Sequence, residues 1–306
     1  MQKVIPPRFY WFVFFVFPFH PLFAQQPFIC QNNFYFSFGS PGGFSQLHEV
    51  IIDNDGNVDF VPLPNSTGAS LNAIGYRSTD NLIYGVGVQD ERLYQIDATG
   101  RGFPLVILEV NHQNGFYAAT ITPDGEEMLL IEQSGRSSIA LIKIDLTDPN
   151  YLVKERLPLV GANIQTTDIA FDPTTGLLYG YDSNNRRLVT INPANGQVNT
   201  PFPVSNVADR IGGIYFDAFG NVFGYGNAFN DDEARTFFGI NKETGVITNL
   251  GTGPNTSSKD GCACPFTIDL LKDVSPRVVV PCTEVTYTFE IANLSGLERT
   301  DVVLTD

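Results

Sequence analysis

Two aspartates at equivalent positions of an internal repeat are the residues best placed to do chemistry. Asp168 and Asp260 each precede a short β-prone run, where other copies of the repeat have Ala73, Ala118 and Gly213. Carboxylates that met in one channel could hold a divalent cation or polarise a water molecule. The alternative is that each carboxylate accepts backbone N–H groups at the start of its strand. We favour this alternative, because small residues in the other copies leave too few oxygen ligands for a metal.

The segment 53–59 carries side-chain oxygens at alternating positions, as calcium-binding loops do at their start. These residues are Asp53, Asp55, Asn57 and Asp59. However, the glycine is the fourth residue instead of the sixth, and Pro64 stands at the twelfth position, where a glutamate is expected. An Asp-Gly pair between two β-prone runs also predicts a tight hairpin. We favour the hairpin, and calcium is the only cofactor that the sequence suggests.

The N-terminus has the features of a secretory signal sequence over residues 1–24. Lys3 and Arg8 give a basic start, an apolar run follows, and Ala24 resembles a small-residue cleavage site. The uncharged stretch 9–24 has 16 residues, fewer than the roughly 20 that a membrane-spanning helix needs. We therefore favour a cleaved signal over a membrane anchor. This predicts a secreted or extracellular cell-surface protein whose mature chain does not insert into a membrane.

Composition excludes several classes of partner. The chain has 33 acidic and 18 basic residues and a formal net charge of −15, which becomes −17 without residues 1–24. Such a charge repels nucleic acids, and no basic cluster offsets it. With 43% hydrophobic and 17% charged residues, the chain is expected to fold around a large core. No nucleophile elbow, P-loop or dinucleotide motif is present.

Internal repetition is the strongest signal for the fold. Large apolar residues that begin corresponding patterns recur at intervals of 45, 50 and 45 residues, at Tyr76, Ile121, Phe171 and Phe216. Each copy divides into about four β-prone runs separated by turn residues. The clearest copy predicts strands at Asp168–Asp172, Leu177–Tyr181, Arg187–Ile191 and Gln197–Thr200. A period of 40–50 residues made of short strands indicates the blades of a β-propeller.

The two ends of this repeat array complement each other. Residues 33–64 contain three strand candidates, Phe34–Phe38, Gln46–Ile52 and Val58–Leu63, with no first strand before them. Residues 260–265 match the register of a first strand alone. Together they predict a ring of about five four-stranded blades over residues 25–267, closed by N- and C-terminal strands in one blade.

The closure register also predicts how the cysteines pair. Four cysteines follow the signal segment, and neither a C-x-x-C pair nor zinc-site spacing occurs. Disulfides are expected in an exported protein. The register places Cys30 close to Cys264, so we predict a Cys30–Cys264 bond that fastens the ring. Cys262–Cys282 is then the remaining pair.

The pattern changes after the repeats, over residues 268–306. The runs Glu284–Asn293 and Asp301–Asp306 resemble the opening of Ig-like repeat domains of bacterial surface proteins. This region has 39 residues, against about 100 for a complete sandwich. We therefore expect an incomplete Ig-like β-sandwich, with further sequence beyond residue 306.

The repeat region resembles a secreted bacterial β-propeller family of unknown function that precedes such Ig-like repeats. The run 171–180 (FDPTTGLLYG) and the closure segment 260–265 (DGCACP) carry this resemblance. The resemblance implies an exported, surface-associated role and transfers no catalytic residue.

Two functional hypotheses follow. The favoured one is a non-enzymatic module for adhesion, scaffolding or ligand binding, with an unidentified protein or glycan at the cell surface as its partner. The other is a metal-dependent, lactonase-like hydrolase or lyase that uses Asp168 and Asp260 in the channel.

Overall fold

The described part of the chain consists of β-strands and the turns that join them. A computed structural model describes residues 24–29, 33–39, 43–53, 56–110, 116–172, 174–217, 220–264, 268–276 and 284–293. No helix forms within these ranges. Glycines supply the tightest turns: Gly196 has a φ of 72°, and a Cβ there would lie 2.2 Å from the Pro158 carbonyl oxygen. Only glycine fits this turn without strain.

Five sheets form the blades of a propeller, which we number in chain order. Blade 1 contains β1 Phe34–Gly39, β2 Gln46–Ile52 and β3 Val58–Pro62; blade 2 contains β4 Leu71–Arg77, β5 Leu82–Gly87, β6 Arg92–Ile96 and β7 Gly102–Ile107; blade 3 contains β8 Phe116–Ile121, β9 Glu127–Ser134, β10 Ser137–Asp145 and β11 Val153–Pro158. Blade 4 contains β12 Val160–Gly161, β13 Ile169–Phe171, β14 Leu178–Asp182, β15 Arg187–Ile191 and β16 Gln197–Asn199; blade 5 contains β17 Ala208–Phe216, β18 Val222–Ala228, β19 Ala234–Ile240 and β20 Ile247–Thr252. The last strand of the ring is β21 Ser258–Ala263.

The ring closes through blade 1. Strand β21 pairs antiparallel with β1, in a register that sets Ala263 opposite Phe34 and Ser258 opposite Gly39. The sheet order is therefore β21-β1-β2-β3, with one strand from the C-terminal end of the repeat region and three from its N-terminal end. This closure confirms the prediction from the two ends of the repeat array, and it leaves no inner edge unpaired.

The innermost strands of the five blades surround the axis. These strands are β21, β4, β8, β13 and β17, and each contacts its neighbours around the ring. The predicted all-β, five-bladed architecture is confirmed. In blade 4 the four predicted strands each agree with the observed strand to within one residue at either end. The short strand β12, which runs parallel to β16 at the outer edge of blade 4, was not predicted.

The core lies between the blades. Buried apolar residues form five clusters, and each cluster joins the facing sides of two neighbouring blades. The cluster between blades 5 and 1 is the most aromatic, with Phe36 and Phe237 fully buried beside Tyr215 and Tyr225. Because each blade buries both faces in this way, the ring has a continuous core around its axis.

After the ring, β22 Ile268–Ser275 and β23 Thr286–Asn293 form an antiparallel hairpin. The second strand falls within the predicted run 284–293, and the first was not predicted. The hairpin does not by itself show an Ig-like sandwich, and the other residues of that prediction lie outside the described ranges. The same holds for the predicted signal sequence before Ala24. In the part of the chain that the structure describes, no helix is long and apolar enough to cross a membrane.

Candidate functional site

The repeat register places equivalent residues of the five inner strands in two layers at the axis. The hub layer consists of Ala73, Ala118, Asp168, Gly213 and Asp260, all of them buried. The cavity layer precedes the hub layer by one residue in each strand and consists of Asn72, Tyr117, Thr167, Gly212 and Lys259, which all line one cavity. Residues from every blade therefore converge at one end of the axis.

Bulges in the inner strands orient backbone amides toward the hub layer. The register between first and second strands shifts between Asn72 and Ile74 in blade 2, and between Ile211 and Gly213 in blade 5. At the first bulge Ala73 has a φ of 57°, a left-handed conformation that is uncommon for a residue with a Cβ. Such bulges redirect backbone groups and side chains, and here the next amides point to the hub carboxyls.

Asp168 and Asp260, which we call the hub pair, lie side by side and are linked by a side-chain hydrogen bond. The Asp260 carboxyl accepts the amides of Ile74 at 2.5 Å and Gly261 at 3.0 Å. The Asp168 carboxyl accepts the amides of Ile214 at 2.5 Å and Gly261 at 3.1 Å, and that of its own neighbour Ile169 at 2.8 Å. The hub pair therefore connects the inner strands of blades 1, 2, 4 and 5.

The hub pair retains a proton at neutral pH. Burial is the largest cause that raises the pKa of both carboxyls. The charge of Asp168 raises the pKa of Asp260 further, because two adjacent buried carboxylates repel each other. Of the two, Asp260 holds its proton more tightly, because the hydrogen bond from Asp260 and three backbone amides lower the pKa of Asp168, whereas Asp168 raises that of Asp260.

The donors around the hub pair do not suit a metal ion. Calcium takes six to eight oxygen ligands, whereas the groups that face these carboxyls are N–H donors. A Cβ at Gly213 would lie 2.5 Å from the Phe36 ring, so this copy has no room for a carboxylate. Among the residues that the structure describes, no group of three or more His, Cys, Asp or Glu side chains could hold a metal. The arrangement matches the favoured interpretation, in which the carboxylates accept backbone amides.

Asp53 and Asn57 lie between β2 and β3 and are joined by hydrogen bonds. Asp53 accepts the Asn57 amide and the Asn57 side chain, each at 2.8 Å. Asp217 and Asn221 make the same two contacts, each at 2.8 Å, in the first turn of blade 5. Asp59 lies in β3 opposite Ile51, and Asp55 lies outside the described ranges. The recurrence in another blade indicates a turn motif, which favours the hairpin.

The cavity layer forms the floor of an open cavity of about 660 Å³ where the inner strands begin, which we call the axial cavity. Its remaining lining comes from the starts of the inner strands and from turns between second and third strands: Ser70, Val88, Gln89, Arg136, Gln165, Ser183, Asn184, Asp209, Arg210, Ser257 and Ser258. Most of these side chains are hydroxyls, amides or charged groups. This volume lies within the range of small-molecule sites, about 300–1,000 Å³.

Lys259 is the most unusual residue of the axial cavity. Its ammonium donates to Asn227 Oδ1 at 3.3 Å and makes no ion pair with any described residue. Its stem crosses Gly212, where a Cβ would lie 2.8 Å from Lys259 Cε. Burial, and to a lesser degree the charge of Arg210, lower the pKa of Lys259 to about 8. A desolvated lysine beside a second cation, in a cavity, is a candidate for ligand binding.

Sequence reasoning identified the hub pair and missed the axial cavity. Paired carboxylates, cysteines and known motifs are recognisable in a sequence, and a single lysine belongs to none of these. The signal was nevertheless present, because Lys259 directly precedes Asp260 in the repeat register. Comparing that position in all five copies identifies every residue of the cavity layer.

The cysteines differ in part from the prediction. Cys264 is disulfide-bonded, whereas Cys262 is a buried free thiol. The predicted Cys262–Cys282 bond is therefore wrong: Cys262 packs in the apolar cluster between blades 1 and 2. Cys30 and Cys282 lie outside the described ranges, so Cys30–Cys264 stays a prediction. The Cys264 amide donates to the carbonyl of Asn33 at 3.0 Å, close in sequence to Cys30.

Fold and site together define a five-bladed β-propeller with a polar axial cavity above a buried pair of carboxyls. The chain belongs to the family described as a repeat of unknown function (DUF6923), which matches residues 35–266. No curated protein matches the chain in sequence.

Several solved structures are similar to this chain. A protein of unknown function from Bacteroides thetaiotaomicron is 11% identical with a TM-score of 0.51, over 78% of this chain and 66% of that chain. Virginiamycin B lyase from Staphylococcus aureus is 16% identical with a TM-score of 0.42, over 72% and 70%. A protein of unknown function from Bacteroides caccae is 17% identical with a TM-score of 0.41, over 71% and 72%. At these identities the likeness concerns the fold and leaves the function open.

Proposed function

We propose that this chain is a non-catalytic ligand-binding module, exported to the cell surface, which takes its ligand in the axial cavity. The observation that carries the proposal is the convergence of cavity-layer residues from all five blades on one polar cavity. A binding role is favoured over hydrolysis because the hub pair is enclosed by backbone donors. It therefore offers neither an open metal site nor a carboxylate that a substrate could reach.

Two polar atoms at the cavity support a binding role. Asn72 is 8% exposed, and its Oδ1 atom has no hydrogen-bond partner among the described residues. The Ser183 hydroxyl is likewise buried without such a partner. Both residues line the axial cavity. Neither atom is exposed to the cavity as it stands, so a ligand would pair with them only after a small shift of these side chains, and the free energy that an unpaired buried polar atom costs would then be recovered.

The proposed export to the cell surface is supported by two features of the chain. The signal-like residues 1–24 and the disulfide at Cys264 both favour an oxidising compartment outside the cytoplasm. Mass spectrometry of the protein from the culture medium and the cell surface is expected to find a mature N-terminus at Gln25. Recovery in the cytoplasm with Met1 intact would contradict export.

The ligand-binding role can be tested with a pair of matched variants. The full-length protein is applied to an array of glycans and matrix proteins, with and without calcium. Ser70→Trp places a bulky ring at the cavity, and its side chain makes no hydrogen bond that would be lost. Ser66 is exposed in the same loop and does not line the cavity, so Ser66→Trp is the control.

Binding by wild type and Ser66→Trp that is lost in Ser70→Trp would support the proposal. Circular dichroism establishes that all three proteins are folded. Binding that persists in folded Ser70→Trp, or the absence of any bound ligand, would contradict it. Release of a reaction product from a bound ligand would contradict the non-catalytic part.

A further inference from the structure

We propose that the ligand of the axial cavity is an acidic saccharide whose carboxylate pairs with Lys259; this inference rests on the proposed binding function. The axial cavity carries three cations, Arg136, Arg210 and Lys259, against one carboxylate, Asp209. The whole chain has a formal net charge of −15. A local excess of positive charge on so acidic a protein favours an anionic ligand.

Lys259 is the cation best placed to receive that anion. Arg210 is already near Asp209, at 3.8 Å, although both side chains are largely exposed, so this pair is weak. Among the described residues, Lys259 donates to the Asn227 side chain alone, and its stem is held against Gly212. A ligand carboxylate would supply the missing counter-charge and offset both the desolvation of Lys259 and its repulsion by Arg210. Charge-assisted hydrogen bonds of this kind are among the strong ones.

The neutral groups of the axial cavity indicate a ligand with hydroxyls as well as a charge. Ser, Thr, Asn and Gln side chains make up most of the neutral lining, and their hydroxyls and amides offer both donors and acceptors, whereas a simple anion such as sulfate only accepts. Sugar hydroxyls do both, and Tyr117 contributes one aromatic ring to the lining. A carboxylate, several hydroxyls and a size suited to about 660 Å³ together describe a uronic acid or a short saccharide that contains one.

The direct test compares acidic and neutral sugars by titration calorimetry on the full-length protein. The probes are galacturonic acid and its disaccharide, galactose and its disaccharide, and sodium sulfate. We expect the acidic probes to bind at least tenfold more tightly than their neutral counterparts and more tightly than sulfate. Equal affinity for neutral sugars, or tighter binding of sulfate, would overturn the inference.

Variants at two lysines assign the charge recognition. Lys259→Met keeps the stem and removes the ammonium, and we expect it to reduce affinity for the acidic probes about tenfold, to that of the neutral ones. Lys154 is exposed and pairs with Glu127 away from the cavity, so Lys154→Met should bind as wild type does. An unchanged affinity in Lys259→Met would overturn the role of this residue.

A second measurement on the wild-type protein avoids any effect of substitution on folding. Limited acylation of amines, followed by peptide mass spectrometry, is expected to be slowed at Lys259 by galacturonate and unchanged at Lys154. Equal labelling of Lys259 with and without galacturonate would contradict the inference. If a neutral ligand binds and Ser70→Trp abolishes its binding, the inference fails while the proposed function holds. If no ligand binds at all, both fail.

Discussion

Asp260 makes the stability of the ring depend on pH in a calculable way. Its carboxyl is fully buried, and burial together with Asp168 raises its pKa well above the usual value. In the unfolded chain an aspartate has a pKa of about 3.9. Between about pH 5 and 7 the folded protein therefore holds a proton that the unfolded chain has released. Folding takes up this proton, so stability is greatest at low pH and decreases as pH rises.

The size of this effect follows from one proton. The free energy of unfolding of the wild type should contain a decrease of about 1.4 kcal/mol per pH unit from this carboxyl, or about 2.8 kcal/mol between pH 5 and 7. Asp260→Asn has no proton to lose and keeps both a donor for Asp168 and an acceptor for the Ile74 amide. At pH 5 it should cost no more than about 1 kcal/mol, and its stability should decrease less steeply with pH by about the same 1.4 kcal/mol per unit.

Asp260→Ala measures what the hydrogen bonds of this carboxyl contribute to stability, separately from the effect of its proton. It leaves the Ile74 amide without its acceptor and removes the donor to Asp168, and each loss costs about 1–3 kcal/mol. We therefore expect a total destabilisation of about 3–5 kcal/mol at pH 6. Guanidinium unfolding at pH 5, 6 and 7 is followed by circular dichroism, since the single tryptophan is Trp11 in the signal-like segment. Asp59→Asn, on the exposed β3, is the matched control.

Parallel stability–pH lines for wild type and Asp260→Asn between pH 5 and 7 would refute this reasoning. They would show that Asp260 is ionised in the folded protein. A destabilisation below about 1 kcal/mol in Asp260→Ala would show that the backbone amides do not depend on its carboxyl.

Three further predictions concern the cysteines, the predicted calcium loop and Lys259. Peptide mapping of the unreduced protein should recover Cys30 joined to Cys264, and Cys30→Ser should lower stability by about 4–5 kcal/mol in the loop-entropy model; recovery of Cys264 with Cys282 would contradict this. Because the turn that starts at Asp53 is closed by its own hydrogen bonds, a chelator should leave the melting temperature unchanged, and an increase of several degrees with calcium would contradict this. Because the pKa of Lys259, which Asp209, Arg136 and Arg210 accompany in the cavity, is lowered to about 8, affinity for galacturonate should fall about tenfold from pH 7 to pH 9. Lys259→Arg, which stays charged, should bind equally at both pH values, and a parallel decrease would exclude Lys259 as the titrating group.

The fold was predictable because each blade repeats the same short sequence pattern of strands and turns. The run 171–180 specifies a strand, a turn and a second strand by local patterning alone, and its weaker copies preserve the spacing. Strand β12 was missed because a two-residue strand that pairs in parallel leaves no periodic pattern. The strand at Ile268–Ser275 was missed because no turn signal marked it as the partner of β23.

The site was predictable only in part, because its properties arise from contacts between blades. The sequence places Asp168 and Asp260 in equivalent positions, but the shared proton depends on the ring bringing two distant strands together. The depressed pKa of Lys259 likewise requires the burial that Gly212 permits. Counting cysteines in pairs gave a wrong Cys262–Cys282 bond, since the count contains no information about which thiol is enclosed by apolar neighbours.

Ring closure through blade 1 also sets an order of events during synthesis. Strand β1 can pair with β2 as soon as both have emerged, but its other edge has no partner until β21 follows more than 200 residues later. Until then the chain exposes an unpaired strand that contains Phe34, Phe36 and Phe38, the kind of edge that recruits other chains. A nascent or truncated chain that ends before Ser258 therefore has complete blades 2 to 5 and an incomplete blade 1, whose open edge is prone to aggregation. Covering that strand until β21 has been synthesised would therefore protect the nascent chain from association.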